Sequence, residues 1–160
     1  MLNRLFEILG FVHNSGVLHG AILPQHLLIQ PATHGLILID WCFSSRAPAD
    51  KPLRSIVASH RDWYPPEVLT KETACPGTDL WMVGMCGLYL LGANPPDTEV
   101  MPEAPDRMAS FLRSCLIPSP AYRPQFAWEL RDAWGELLED LFGAPQFVPF
   151  EMPPTAAGGA

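Results

Sequence analysis

The uncharged run WMVGMCGLYLLGA, residues 81–93, is the feature that most constrains how this 160-residue chain can fold. Its thirteen residues are too few to cross a bilayer, which takes about 20 apolar residues in a helix. A helix that is apolar on every side is stable only when it is buried. The run therefore predicts a fully buried helix over about residues 78–92.

Apolar spacing predicts further helices around it. An amphipathic helix ending near Asn14-Ser15-Gly16 is indicated by apolar residues at i, i+3, i+4 and i+7, namely Leu2, Leu5, Phe6, Leu9 and Val12. A short helix is expected near 66–71, and two amphipathic helices are expected near 106–116 and 125–142.

One small β-hairpin is predicted between the first helix and the middle of the chain. The apolar runs LLIQ (27–30) and LILID (36–40) are separated by the turn residues 31–35. Residues 42–63 lack a periodic apolar pattern and predict a long irregular segment, which in compact domains usually serves a function. The predicted fold class is therefore mainly α with a small β-hairpin.

The charge balance excludes two classes of partner. The formal net charge is −7, and the lysines are Lys51 and Lys71 alone, so no basic stripe is available for nucleic acid or an anionic membrane. The N-terminal helix is interrupted by Glu7 and His13 and lacks a small-residue cleavage pattern, which argues against a signal peptide.

The cysteines favour a reducing compartment. Cys42, Cys75, Cys86 and Cys115 are widely spaced and form no C-x-x-C pair. This spacing does not favour a zinc cluster or a disulfide framework, and it fits free thiols in the cytosol. We therefore expect a cytoplasmic protein.

The stretch VLHGAILPQHLLI, residues 17–29, resembles a degenerate protein-kinase catalytic loop, which is written H-R-D-L-x-x-x-N. His19 takes the first place, and His26 stands where the metal-binding amide belongs. After the hairpin, Asp40-Trp41-Cys42 stands at the D-F-G position, and Pro65-Pro66-Glu67 stands at the A-P-E position. These three landmarks, and two more described next, occur in the order that the family has them.

Two later landmarks complete the resemblance, which runs from residue 1 to about 142. TDLWMVGMCGLYLL is similar to the start of the family's buried central helix, and the resemblance implies that Asp79 holds the backbone of the catalytic loop. PSPAYRPQFAWEL is similar to the late R-P segment, whose arginine, Arg123, would pair with Glu67. In style, the loop His19-Gly20-Ala21 followed by LIDW also resembles aminoglycoside phosphotransferases, whereas the longer downstream part favours Ser/Thr kinases.

The resemblance implies a kinase-like C-terminal lobe at residues 1–143, followed by a Pro/Gly/Ala-rich tail at 144–160 that is flexible at its end. Phe147 and Phe150 are expected to anchor the beginning of that tail. The sequence contains no G-x-G-x-x-G loop, and neither lysine lies in a V-A-I-K-like strand. We therefore expect the N-terminal lobe to be absent from this chain.

The groups that move a phosphate are missing from the loop. Ala21 cannot accept a proton as the loop aspartate does, and Leu23 carries no charge where the resemblance implies a lysine. His26 is a poor ligand for magnesium, which prefers oxygen. Asp40 alone could make a residual metal contact, so we expect no catalytic residue at positions 19, 21, 23 and 26 and no metal site.

Plainer alternatives stand beside these assignments. His19 is expected to pack beneath the hairpin, and His26 with Asp40 could instead bind a softer metal such as zinc. The literal His60-Arg61-Asp62 is interpreted as a decoy, because the residue five positions after its aspartate is Glu67 and not asparagine. Four serines in the segment where kinases are phosphorylated are interpreted as solvated loop residues: Ser44, Ser45, Ser55 and Ser59.

The leading hypothesis is an inactive kinase-like C-lobe, a pseudokinase, that serves as a protein-interaction or regulatory module and needs no cofactor. Its partner would be the missing N-lobe, a second copy or another protein, held on an exposed apolar platform. The alternative is the C-terminal half of a degenerate Ser/Thr-type kinase that transfers phosphate from Mg-ATP once another segment supplies the N-lobe. Asp79, Glu67 and Arg123 are structural in either case.

Overall fold

A computed structural model describes residues 1–46, 52–53 and 55–148. About half of these residues are helical, and the strands form two small antiparallel pairs. The helices are α1 (Leu2–Asn14), α2 (Pro66–Leu69), α3 (Pro76–Leu90), α4 (Asp106–Ser114) and α5 (Ala127–Phe142). The strands are β1 (Val17–Leu18), β2 (Leu27–Gln30), β3 (Gly35–Leu38) and β4 (Ser45–Arg46).

The predicted apolar face of α1 is its buried face. The side chains that defined the periodicity are all buried, and all of them except Val12 belong to one apolar core: Leu2, Leu5, Phe6, Leu9 and Val12. Next to this face, α1 packs closely on α5, because Gly10 lets the ring of Trp128 approach the helix backbone. The predicted helix and its end at Asn14 are confirmed.

Helix α3 forms the middle of the core. Pro76 occupies its first turn, where a missing N–H costs nothing, and the helix packs against α4. Gly87 makes that packing possible, since a Cβ there would lie 2.5 Å from the side chain of Leu112. The prediction of full burial is correct from Thr78 to Leu88 except at Trp81, which is half-buried, and it is wrong at Tyr89 and Leu90, which are about half exposed at the end of the helix.

The predicted hairpin is confirmed as β2 paired with β3, with Leu28 opposite Ile37. The structure adds an antiparallel pair that was not predicted, β1 with β4, with Val17 opposite Arg46. Strands of two residues show no alternation in sequence, so no pattern predicts them. This second pair connects the turn after α1 to the segment expected to be irregular.

The boundaries of the other elements follow the predictions within a few residues. In the described part of 42–63, β4 and a 3₁₀ turn over Ala58–Trp63 interrupt irregular backbone. Helix α2 ends at Leu69 and is shorter than expected. Phe150 and residues 149–160 as a whole lie outside the described residues.

Within the described ranges, no helix has both the length and the apolarity needed to cross a membrane.

Candidate functional site

The buried carboxylate of Asp79 in α3 fixes the turn that follows β1. Its Oδ2 accepts a hydrogen bond from the backbone N–H of His19 at 2.8 Å, and its Oδ1 accepts one from Gly20 at 2.8 Å. Gly20 has φ +78°, and a Cβ at this position would lie 2.6 Å from the carbonyl oxygen of Phe43. The turn therefore needs both a glycine and a carboxylate beneath it.

A third donor to this carboxylate comes from α1, and the sequence did not reveal it. Nε2 of His13 lies 2.9 Å from Oδ2 of Asp79, and both side chains are buried. An ionised carboxylate can accept hydrogen bonds but cannot donate them, so Nε2 is the nitrogen that carries the proton. The available signal was a histidine in the last turn of an apolar helix, which does not identify a partner 66 residues away.

His19 is fully buried, and both of its ring nitrogens have protein partners. Nδ1 accepts a hydrogen bond from the backbone N–H of Ala21 at 3.2 Å, and Nε2 donates to the carbonyl oxygen of Ile39 at 3.0 Å. Burial lowers the pKa of His19, partly offset by the nearby Asp79. A neutral ring with its proton on Nε2 satisfies this environment, so His19 connects the turn to the end of the hairpin.

Ala21 and Leu23 are fully buried, so the two positions between His19 and His26 that the family resemblance associates with catalysis carry apolar core side chains. Neither can exchange a proton or contact a phosphate.

His26 joins this loop to Asp40, an arrangement called here the His26 bridge. Nδ1 lies 2.7 Å from the carbonyl oxygen of Ala21, and Nε2 lies 3.1 Å from Oδ2 of Asp40. The Ala21 carbonyl oxygen is an acceptor, so Nδ1 donates to it, and Nε2 faces the Asp40 carboxylate at ion-pair distance. The position expected to hold a magnesium ligand is thus occupied by a hydrogen-bond donor.

Asp40 has a contact at each carboxylate oxygen. Its Oδ1 accepts a hydrogen bond from Sγ of Cys42 at 2.7 Å, and its Oδ2 faces His26. The hydrogen bond to Asp40 raises the pKa of the Cys42 thiol. Asp40 has φ +65°, in the left-handed region, which places its side chain at the sharp turn after β3. About a third of the side chain stays exposed.

The alternative of a zinc site at His26 and Asp40 finds no further ligands. Among residues 1–46, 52–53 and 55–148, no group of three or more His, Cys, Asp or Glu side chains could hold a metal ion. Two ligands that contact each other directly do not form a protein zinc site, which usually takes three or four.

Glu67 in α2 and Arg123 in the segment before α5 form a buried ion pair. Nη1 of Arg123 lies 2.7 Å from Oε1 of Glu67, and Nη2 lies 3.3 Å from Oε2. Thr78 also donates to Oε1 of Glu67 at 3.0 Å, and the guanidinium lies 4.9 Å from the centre of the Trp81 ring. The remaining guanidinium hydrogens go to the carbonyl oxygens of Gly77, Ile117 and Pro118.

The literal His60-Arg61-Asp62 lies in the 3₁₀ turn before α2. Arg61 and Asp62 are exposed, and Nδ1 of His60 lies 3.0 Å from Oγ of Ser59. Among the four loop serines, Ser45 is half-buried. The other three are exposed, namely Ser44, Ser55 and Ser59.

The profile of the protein kinase domain family matches residues 1–109 of this chain. Aurora kinase A-A of Xenopus laevis is 28% identical over 140 residues, covering 86% of this chain and 32% of that protein. Aurora/IPL1-related protein kinase 2 of Caenorhabditis briggsae is 32% identical over 97 residues, covering 60% and 31%. Serine/threonine-protein kinase STE20 of Kluyveromyces lactis is 26% identical over 153 residues, covering 84% and 15%. This chain spans at most about a third of the length of these relatives.

Proposed function

The chain belongs to the protein kinase domain family, and from this membership we propose that it is a catalytically inactive, C-terminal-lobe pseudokinase acting as a protein-interaction or regulatory module. In this proposal residues 1–143 are the lobe, residues 144–160 are a tail, and the protein works in the cytoplasm without a bound nucleotide. The resemblance of the loop to aminoglycoside phosphotransferases is then a relic without activity.

The observation that carries this proposal is the His26 bridge. A kinase works by positioning and by electrostatic stabilisation, for which it needs a loop acid and oxygen ligands for magnesium. Here Ala21 and Leu23 are buried apolar residues, Oδ1 of Asp40 accepts a hydrogen bond from Cys42, and its Oδ2 lies 3.1 Å from Nε2 of His26. The loop is closed on itself by contacts that compete with a metal ion.

The retained parts of the site support a structural role. Asp79 fixes the loop backbone through two amides, and the ion pair of Glu67 with Arg123 ties α2 to the segment before α5. Removing one member of a buried ion pair costs about 3–5 kcal/mol, so selection for a stable fold retains such a pair without catalysis.

The hairpin provides a surface for the partner. Leu28 and Ile37 lie opposite each other on one face of the β2–β3 pair, and both are about half exposed; this pair is called here the hairpin face. Residues 22–39 contain no Asp, Glu, Lys or Arg. Natural sheet edges usually carry charges that prevent unwanted strand pairing, so this uncharged ribbon fits a surface that a protein partner covers.

Titration with Mg-ATP tests the inactivity of the site. We expect no saturable increase in the melting temperature of the full chain and no phosphate transfer to a generic protein substrate. Saturable stabilisation by Mg-ATP that disappears in Asp40→Ala would overturn the proposal.

That same outcome would support the second candidate function, ATP-dependent phosphoryl transfer once an N-lobe from upstream sequence or a partner completes the site. The observation in its favour is the Asp40 carboxylate, which stays at the position of the family's metal ligand and is about a third exposed.

Light scattering after gel filtration tests the partner surface. We expect the full chain to self-associate at rising concentration, and Leu28→Ser/Ile37→Thr to reduce that association. Phe142→Ser at the end of α5 is the control, because it removes an even more exposed apolar side chain away from the hairpin. A chain that stays monomeric and soluble at all concentrations argues against an exposed docking surface.

A further inference from the structure

Helices α4 and α5 leave a groove between them, called here the α4–α5 groove. It is a cavity of about 650 Å³. Its apolar floor consists of Phe111 from α4 and of Ala133 and Leu137 from α5. The ring of Phe111 contacts the ring of Trp134 on α5, with 5.2 Å between centroids, so core packing holds the floor in place. The groove shares no residue with the hairpin face.

Acidic side chains form the rim of this groove. Asp106 lines it from α4, Glu136 and Asp140 line it from α5, and all three are exposed. Arg107 is the cation among the lining residues, so three carboxylates stand against one guanidinium. In the part of the chain that the structure describes, no three acidic, His or Cys side chains are grouped as a metal ion requires. The rim therefore attracts the cationic groups of a larger molecule.

An ion pair across the groove shows how this rim takes up a cation. Nη1 of Arg107 on α4 donates to Oδ2 of Asp140 on α5 at 3.0 Å. The two side chains are 59% and 68% exposed, so water competes with the pair and the pair is weak. A guanidinium or ammonium group from another molecule can therefore replace Arg107 at the Asp140 carboxylate.

We propose that the α4–α5 groove binds a basic amphipathic helix of a partner protein. The apolar side of that helix contacts the floor, and its Lys or Arg side chains pair with the acidic rim. One of these cations displaces Arg107 from Asp140. This inference goes beyond the proposed function, because neither the inactivity of the loop nor the hairpin face enters it.

Charge favours this occupant over the alternatives. The chain has a formal net charge of −7, so a second copy is repelled, and the acidic rim also repels the phosphates of a nucleic acid. An uncharged apolar partner would cover carboxylates without giving them cations, which costs desolvation energy. A basic segment avoids both penalties.

Fluorescence anisotropy with a defined probe tests the groove in the full chain. The probe is a labelled helical peptide with leucines along one side and lysines at its other positions. We expect saturable binding that Glu136→Lys/Asp140→Lys weakens about tenfold, because two attractive pairs become repulsive. Asp132→Lys/Glu139→Lys is the matched control: it makes the same change of charge at exposed positions of α5 that do not line the groove, and should weaken binding about twofold at most.

Two further variants separate the groove from a general attraction between a basic peptide and an acidic protein. Ala133→Trp fills the floor without changing the charge, and it should weaken binding by about tenfold. Arg107→Ala removes the cation that competes for Asp140. It should tighten binding about threefold more than Arg131→Ala, which removes the same charge from an exposed pair outside the groove.

Equal weakening in the two charge-reversed chains would overturn the proposal, because it would show attraction to the whole acidic surface. Undiminished binding to Ala133→Trp, or no saturable binding to the unaltered chain, would also overturn it. A peptide with glutamate in place of each lysine should not bind, and equal affinity for it would contradict selection by the rim. All the substituted side chains are at least partly exposed, so the variants keep the folded core.

Discussion

Arg123 and Glu67, which are 56 residues apart in sequence, meet in a two-point ion pair at 2.7 and 3.3 Å. Both side chains are almost completely buried. The carbonyl oxygens around the guanidinium leave it few unsatisfied hydrogens, and Thr78 adds a hydrogen bond to the carboxylate. Because each charged group has hydrogen-bond partners, the cost of burying the two charges is offset, and the pair can hold the two segments together.

Arg123→Met should lower the free energy of unfolding by about 3–5 kcal/mol, because it leaves the Glu67 carboxylate buried without its cation. Urea unfolding followed by circular dichroism measures this loss. Arg107→Met is the matched control: its pair with Asp140 is exposed on both sides, and such pairs contribute at most about 1 kcal/mol. Similar losses in the two variants would show that the buried pair does not stabilise the fold.

Asp79→Asn should destabilise the chain by roughly 2–5 kcal/mol, because it weakens charge-assisted hydrogen bonds from three donors inside the core. The loss should be visible locally as faster amide exchange at His19 and Gly20. Asp132→Asn, on the exposed side of α5, should leave both stability and exchange unchanged. Unaltered protection of the two amides would contradict the role of Asp79 in fixing the loop.

Stability should decrease as the pH falls from about 7 to 5, with a contribution from His19. Burial lowers the pKa of His19 in the folded chain, so below about pH 6.5 the unfolded chain binds more protons there and unfolding becomes easier. One such group changes the free energy of unfolding by at most about 1.4 kcal/mol per pH unit.

Urea titrations at several pH values measure this dependence. His19→Gln, which keeps a donor for the carbonyl of Ile39, should show a flatter profile between pH 5 and 7 than the unaltered chain. Parallel profiles would mean that another group causes the dependence.

Gly10→Ala should destabilise the chain by about 1–3 kcal/mol, because its Cβ would lie 2.6 Å from the Trp128 ring, which is rigid. Gly135→Ala is the matched control in α5, since a Cβ there meets nothing within 4 Å. This second change should stabilise the chain by about 0.5–1 kcal/mol through helix propensity. Thermal unfolding of the two variants separates the effects, and a stabilised Gly10→Ala would show that α1 and α5 are not closely packed.

The sequence predicted those parts of the fold that follow from short-range patterns. Helix α1 was predictable because the same apolar residues that repeat along it are the ones that are buried, and the β2–β3 hairpin was predictable from two apolar runs around a turn. The β1–β4 pair was not, because two-residue strands separated by 26 residues depend on tertiary contacts alone.

In the site, too, some contacts were predictable from motifs and others depend on tertiary packing. The resemblance to kinases drew attention to Asp79, Glu67 and Arg123, whose contacts depend on residue types that the motifs specify. Nothing in the spacing indicated that His13 would reach Asp79 or that His26 would face Asp40, since each contact joins side chains from different elements. Such pairings are set by how helices and loops pack, which a single sequence does not state.

The burial of Ala21 has a consequence for any attempt to place a carboxylate in this loop. A carboxylate introduced at that position would be buried beside the backbone carbonyl that contacts His26, and it would cost stability before it could assist any reaction. Under the proposed inactivity, a working loop would need changes at positions 21, 23 and 26 together. On that proposal, no single substitution in this loop would by itself supply phosphate transfer.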